Sequence, residues 1–351
     1  MMRRPCILIV SAIVALVAVE ERPVAQQAPN GSVFVGILRS DALLLPIAIN
    51  DGRDWWNAWP FSDEGDESVQ GLPLPGSLDT VPENWLPPGT RLPREWRVQM
   101  VRGGDRIIHL GRPARPARFS MAAMIALETD YGGRRTADDQ DIDSEDGVAV
   151  AGRAALGRFT GVPDTTARAL VAAMSTDLFA AESREIAFRI KERESAPDWD
   201  GKPVVFPADE QQRMATPFSS YGFTRAVRTE PAGTFYVFQG QKDYGRRPWP
   251  DCAATVDFSG IVVQDSGGHV SVRSMGAYTT LECSRDNALA IGFEPLASLH
   301  WRGPTLWIVR LQAEDGFEYG LLNPADADPS AMPMRGAWQL QRDSITDASR
   351  N

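Results

Sequence analysis

The sequence predicts an α+β protein that is mostly β, with antiparallel β-meanders at both ends and one long amphipathic helix in the middle. Three observations lead to this prediction. Short β-branched and aromatic segments alternate with Gly-, Asn- and Asp-containing turns over residues 33–59, and a similar pattern returns at 295–322. Between them, residues 164–192 carry apolar side chains at the helical spacing of 3.6 residues.

The N-terminal β part is predicted over residues 33–115. Strands at 33–38, 42–49 and 55–59 form a meander whose second turn, Asn50-Asp51-Gly52, tolerates positive φ. The prolines of the acidic stretch 60–93 have no backbone N–H to donate to a neighbouring strand. The stretch therefore fits either a loop that wraps the domain or a linker between two domains. A hairpin with strands at 95–101 and 106–110 follows it.

A mixed part is predicted over residues 116–230, with strands at 119–129 and 147–152 and the helix at 164–192. Asp164 or Thr165 is the expected N-cap of this helix. The C-terminal β part covers residues 231–325, and residues 326–351 are polar and predicted to be poorly ordered. The three parts are interpreted as one mixed domain over residues 26–325. The apolar stripe of the helix is Leu170, Val171, Met174, Leu178 and Phe179.

The N-terminus has the pattern of a secretory signal peptide over residues 1–25. Arg3 and Arg4 precede an apolar run at 7–19, which is shorter than the about 20 residues that span a bilayer. Cleavage is expected after Ala25, with Ala18 as the alternative, and a retained N-terminal membrane anchor is a further alternative. The sequence therefore predicts an extracytoplasmic protein, periplasmic or secreted, with no membrane span after cleavage.

The cysteine count supports this location. Cys6 leaves with the signal peptide, and Cys252 and Cys283 remain as a predicted disulfide. Two buried free thiols are the alternative. A zinc site is disfavoured, because the sequence has no CxxC motif and no His near either cysteine.

Composition narrows the function classes. Among 351 residues, 43% are hydrophobic and 23% are charged, which excludes collagen, coiled-coil and disordered chains. A formal net charge of −10, with no local basic patch recognised, argues against nucleic acid as a partner. The strong preference for Arg over Lys is typical of a GC-rich bacterial genome.

Catalytic and cofactor motifs are weak. The segment Asp265-Ser266-Gly267-Gly268 is similar over four residues to the nucleophile region of trypsin-like serine proteases, but Gln264 and His269 depart from that pattern, and a hairpin turn is favoured. Nucleophile-elbow, Walker A and G-x-G-x-x-G motifs do not occur. The acidic segment 138–147 fails the EF-hand spacing, so a solvated loop is favoured over a weak calcium site. No cofactor, metal or catalytic residue is predicted.

Tryptophan provides the candidate ligand-binding residues, which are Trp55, Trp56 and Trp59. Alternation along a strand places Trp55 and Trp59 on one face and Trp56 on the other. Core packing is the more common role of Trp in a β protein, whereas exposed indoles stack on sugars and apolar ligands.

These features predict an exported bacterial protein of the cell envelope that binds an unknown ligand or an envelope protein without catalysis. The alternative is an exported hydrolase that acts on glycans or peptides with carboxylate chemistry. A third hypothesis is an envelope-tethered structural protein that keeps its apolar leader.

Overall fold

The fold was analysed in a computed structural model. The structure describes residues 31–57, 86, 89–119, 122–132, 145–195, 213, 215–226, 233–249, 252–281, 293–313, 316–325 and 334–335. It is mostly β, with 56% strand and 18% helix, and its sheets are antiparallel apart from one short strand pair. The predicted fold class is therefore confirmed. The predicted signal peptide and nearly all of the predicted C-terminal tail lie outside the described residues.

Six N-terminal strands close into a barrel in the order β1, β7, β4, β5, β6 and β2, because β2 also pairs with β1. Strands β3 and β17 extend the edge of β2. The turn after β2 forms as predicted, since the Asn50 side chain accepts the N–H of Gly52 at 2.8 Å and Gly52 has a φ of 105°. The strands are β1 (Val33–Arg39), β2 (Leu43–Asn50), β3 (Trp55–Asn57), β4 (Glu95–Met100), β5 (Arg106–Phe119), β6 (Ala122–Thr129), β7 (Glu145–Ala151) and β17 (Met334–Arg335).

The barrel interior is filled by its own side chains. Phe34 of β1 and Trp96 of β4 are fully buried and meet edge to face, with ring centroids 6.1 Å apart. The Trp96 indole N–H donates to the carbonyl of Pro93 at 3.1 Å, so the one polar atom of this ring is satisfied. The interior is thus a packed core.

Two further sheets follow the barrel. The four-stranded sheet has the order β16, β15, β14 and β8, and the five-stranded sheet has the order β13, β12, β11, β10 and β9. A single residue, Arg158, separates β8 from β9, so the chain passes from one sheet to the other there. The strands are β8 (Ala155–Gly157), β9 (Phe159–Gly161), β10 (Ser220–Ala226), β11 (Thr234–Trp249), β12 (Cys252–Gln264), β13 (Val270–Leu281), β14 (Phe293–His300), β15 (Leu306–Ala313) and β16 (Gly316–Leu322).

Strand alternation stacks these sheets into layers. In β1, Phe34 and Leu38 face the barrel interior, whereas Val35 and Ile37 belong to a second core that includes Ile308 of the four-stranded sheet. The other face of that sheet packs against the five-stranded sheet through Trp307, Val309, Phe235 and Val237, among others. The N-terminal and C-terminal meanders therefore share one hydrophobic core.

Two helices cover the remaining face of the five-stranded sheet: α1 (Asp164–Ala173) and α2 (Ser175–Glu194). The predicted helix is interrupted at Met174, which has φ −102° and ψ 12°. Hydrogen bonds of 3.0 Å from Met174 N–H to the Leu170 carbonyl and from Leu178 N–H to the Met174 carbonyl continue across the break. Leu170, Met174 and Leu178 are buried, as the apolar stripe predicts.

The predicted helix N-cap is wrong. Pro163 occupies the N-cap position and forms no side-chain hydrogen bond, and Asp164 is the first helical residue. Its carboxylate lies in the first turn, where the helix dipole favours negative charge. Among the described residues, no helix is long and apolar enough to cross a bilayer.

Candidate functional site

The short strand β3 positions two of the three tryptophans singled out by the sequence. Trp55 pairs with Asn50 of β2, and Trp56 pairs with Ile49, so the two indoles point to opposite faces. Trp55 packs at the margin of the core shared by the barrel and the four-stranded sheet. Trp59 lies outside the described residues.

The half-buried Trp55 meets a third indole from the far end of the chain. Its ring lies edge to face with that of Trp301, with centroids 6.2 Å apart. Trp301 and Arg302 form the turn that follows β14, and Arg302 is one of two described non-glycine residues with positive φ, at 33°. Its exposed guanidinium lies 5.0 Å from the centre of the Trp301 ring, which is a cation–π distance.

Trp56 is oriented by the turn between β2 and β3. Its indole N–H donates to Oδ2 of Asp51 at 3.1 Å, while Oδ1 of the same carboxylate accepts the backbone N–H groups of Arg53 and Asp54 at 2.8 and 2.9 Å. Partial burial acts to raise the pKa of Asp51, but these hydrogen bonds outweigh it and lower the pKa from its usual value. The carboxylate is therefore held ionised beside the ring.

We call the group of Asp51, Trp55, Trp56, Trp301 and Arg302 the tryptophan edge. On one face of β3, Trp55 and Trp301 lie beside the cation Arg302, and on the other face Trp56 lies beside the anion Asp51. Indole faces bind the C–H surface of sugars and apolar ligands, and the charged groups can hydrogen-bond hydroxyl or ionic substituents. The arrangement suits ligand recognition, and it places no nucleophile beside a base.

A second exposed cluster surrounds His109 on β5. Its Nδ1 and its backbone N–H each lie 2.8 Å from a carboxylate oxygen of Asp130, and its Nε2 is 4.0 Å from Glu95. Burial acts to raise the pKa of Asp130, yet the hydrogen bonds from His109 prevail and lower it. An exposed imidazole between two carboxylates is able to transfer protons. Sequence reasoning missed this pairing.

The other two histidines serve the local structure. His300 contacts Thr305 Oγ1 through Nδ1 at 2.8 Å and Ser298 Oγ through Nε2 at 3.1 Å. Ser298 is fully buried, and a Cβ on the adjacent Gly157 would collide with its hydroxyl, so the protein encloses this serine tightly. His269 ends the turn between β12 and β13.

That turn confirms the structural interpretation of the Asp-Ser-Gly-Gly segment. Oδ1 of Asp265 accepts the backbone N–H groups of Gly267 and His269, both at 2.9 Å. Gly268 has a φ of 84°, which favours glycine at this position. The segment is a hairpin turn.

A fully buried Glu182 on α2 ties the helix layer to β11. One carboxylate oxygen accepts a hydrogen bond from Lys242 Nζ at 3.0 Å, and the other accepts one from the hydroxyl of Tyr244. Lys242 also donates to the carbonyl of Arg213 at 3.1 Å. All three side chains are buried, so we assign the cluster a structural role.

No metal-binding group of three or more His, Cys, Asp or Glu side chains occurs within the described ranges. Cys252 begins β12, but Cys283 lies outside those ranges, so the disulfide stays a prediction. Most of the acidic segment 138–147 also lies outside them. Its described residue Glu145 accepts hydrogen bonds from Tyr319 at 2.6 Å and Arg310 at 3.1 Å, which joins the barrel to the four-stranded sheet.

Comparison with known protein families, curated proteins and solved structures finds no match for this chain.

Proposed function

We propose that the protein is an exported, non-catalytic binding protein of the cell envelope that recognises an envelope glycan at the tryptophan edge. One observation carries the proposal: the indoles of Trp55 and Trp301, which are distant in the chain, meet on one face of β3, and the guanidinium of Arg302 lies beside the Trp301 ring. Aromatic surface flanked by polar groups suits sugars, which present both C–H faces and hydroxyls.

The side chains of the edge are already ordered by contacts within the protein. Asp51 fixes the Trp56 ring, and Trp301 lies between Trp55 and the guanidinium of Arg302. Binding to ordered side chains loses less conformational entropy than binding to mobile ones. This order supports a recognition role for the edge.

Tryptophan fluorescence during titration with soluble peptidoglycan and lipopolysaccharide-core fragments tests the glycan. Trp301→Ala is expected to weaken binding roughly 30-fold, which corresponds to the about 2 kcal/mol of a binding hot spot. Trp56→Ala is expected to weaken it less, because the Trp56 ring points to the opposite face of β3. Tyr221→Ala is the matched control, because Tyr221 is an exposed aromatic residue on the five-stranded sheet. Equal losses in all three variants, or no binding by the unaltered protein, would refute the proposal.

Export is tested separately by intact mass. The apolar leader and the two remaining cysteines support cleavage after Ala25 and a Cys252–Cys283 disulfide. Protein from the extracytoplasmic fraction should therefore begin at Gln26 and weigh two hydrogens less than its reduced form. A full-length chain with both thiols free would contradict export with cleavage.

A second candidate function is an exported hydrolase, and the exposed cluster of His109, Asp130 and Glu95 favours it. A histidine held by carboxylates is able to act as a general acid or base. The two functions differ in their response to substitution. For a hydrolase, His109→Ala abolishes turnover of labelled glycans or peptides, whereas for a binding protein no turnover occurs and His109→Ala leaves glycan affinity unchanged.

A further inference from the structure

One stretch of this acidic protein carries a local excess of positive charge. Residues 91–119 contain eight arginines and only two acidic residues, a net charge of +6 in a chain with a net charge of −10. This concentration corrects the sequence-based statement that the chain has no local basic patch. The arginines are Arg91, Arg94, Arg97, Arg102, Arg106, Arg112, Arg115 and Arg118.

The structure places this stretch on the residues directly before β4, on β4 and β5, and on the turn between them, and we call residues 91–119 the arginine hairpin. The first five of its arginines are exposed. Asp105, the acidic residue of the turn, forms an ion pair with Arg158 outside the hairpin, with an N–O distance of 2.8 Å. Arg158 also donates to the Met100 carbonyl at 2.9 Å and so fixes the end of the hairpin.

Exposed aliphatic side chains lie beside these cations. Val101 is 61% exposed and Ile107 is 49% exposed, and they are two of the four large hydrophobic residues that are exposed in the described part of the chain. Their neighbours Met100 and Ile108 are buried in the barrel. By strand alternation, Val101 and Ile107 therefore point outward from the barrel.

This face is separate from the internal packing of the protein. The barrel residues in the core shared with the four-stranded sheet come from β1, β2 and β7, not from the arginine hairpin. Arg97 donates to the carbonyls of Gly152 and Ala154, whereas packing in that shared core does not account for the exposed Val101, Arg102 and Ile107. Arginine combined with exposed apolar side chains is the composition of segments that bind at the membrane interface.

We propose that the arginine hairpin docks the protein onto a membrane surface rich in anionic phospholipid. Arg102 and Arg106 pair with lipid phosphates, because a guanidinium binds phosphate through two parallel hydrogen bonds. Val101 and Ile107 enter the boundary between headgroups and acyl chains, where aliphatic burial adds to the attraction between opposite charges. Nucleic acid is less suited, because Trp96, the aromatic residue of β4, is buried and unable to stack on bases.

The test measures co-sedimentation of the full chain with vesicles of phosphatidylglycerol and phosphatidylcholine in equal parts. Each arginine near such a surface contributes about fivefold in affinity, so Arg102→Gln with Arg106→Gln should weaken binding roughly 25-fold. Val101→Ser with Ile107→Ser should weaken it roughly tenfold. Circular dichroism verifies that each variant is folded.

Arg168→Gln with Arg225→Gln is the matched control, because both arginines are exposed elsewhere, on α1 and β10, and the change in net charge is equal. The affinity of this variant for the anionic vesicles should be within about twofold of that of the unaltered protein. Vesicles of phosphatidylcholine alone should not sediment the unaltered protein. Equal losses in the two arginine pairs, or no binding to anionic vesicles, would overturn the proposal. A second result would also overturn it: Val101→Ser with Ile107→Ser leaves vesicle binding unchanged, and a DNA duplex competes with the vesicles. That result would assign the hairpin to binding of a soluble polyanion.

Discussion

Replacing Glu182 with leucine is expected to destabilise the protein by about 3–5 kcal/mol, because the change leaves the ammonium group of Lys242 buried without its counter-ion. Glu182 is fully buried and Lys242 is 6% exposed, so water is unable to take over the lost interaction. The hydroxyl of Tyr244 also loses its hydrogen bond to this carboxylate, which adds to the destabilisation.

Removing all three polar groups together should have a much smaller effect. In the triple variant Glu182→Leu, Lys242→Met and Tyr244→Phe, no buried charge or donor of this cluster is left unpaired. Lys242 Nζ lies 5.3 and 5.6 Å from the ring centres of Phe218 and Phe258, and a methionine thioether packs well against such rings. The triple variant should be within about 1 kcal/mol of the unaltered protein, or more stable.

Urea unfolding at pH 7, followed by tryptophan fluorescence and by circular dichroism, measures these free energies. Glu192→Leu is the control on the same helix, since its carboxylate is exposed and its ion pair with Arg189 should contribute less than about 1 kcal/mol. The explanation fails if Glu182→Leu is no more destabilising than this control. It also fails if the triple variant loses as much stability as the single one.

Three further predictions concern backbone strain and titration. Gly103 has a φ of 94° and open space around its Cβ position, so Gly103→Ala should lower the free energy of unfolding by about 1–2 kcal/mol. Gly152 has a φ of 99°, and a Cβ there would collide with the carbonyl of Ser32, so Gly152→Ala should lower it clearly more in urea unfolding. Burial is the main cause that raises the pKa of Tyr244, followed by its hydrogen bond to the Glu182 carboxylate. The contribution of Tyr244 to the free energy of unfolding is fully present below the unfolded pKa of about 10, and above it falls by up to about 1.4 kcal/mol per pH unit. Tyr244→Phe should reduce this loss of stability at alkaline pH. The lowered pKa of Asp130 gives a stability that is present above its unfolded pKa and declines on acidification. His109→Ala should raise the pKa of this carboxyl in an NMR titration, and an unchanged value would contradict the assigned hydrogen bonds.

Local patterns predicted the hairpins and the helix well, because their signals lie within a few residues. Asn50-Asp51-Gly52 and the glycine pair at 267–268 specify turns through side-chain hydrogen bonds and positive φ. The short strands β8 and β9 had no such signal, since three residues show too little alternation and their partners are distant in the chain. Closure of the barrel also depends on pairing between strands that are distant in the chain. Phe34 of β1 pairs with Ile49 of β2 and with Ala151 of β7.

The candidate sites were only partly predictable for the same reason. Alternation placed Trp55 and Trp56 on opposite faces, but nothing local in the sequence links Trp55 to Trp301. His109 on β5 and Asp130, which directly follows β6, lie 21 residues apart, and only the pairing of these two strands brings them together. The arginine hairpin was detectable from the sequence, but the net charge of the whole chain conceals a local excess of arginine.

The position of the barrel strands along the chain has a consequence for the order of folding. All six strands of the closed barrel lie between residues 33 and 151, so a chain emerging N-terminus first can complete this unit before the later sheets exist. Its outer apolar residues, such as Val35 and Ile37, then stay uncovered until residues 293–322 arrive. We therefore expect a nascent form of this protein in which the barrel is complete and its outer apolar surface is exposed, and at that stage a chaperone that binds the chain would prevent aggregation.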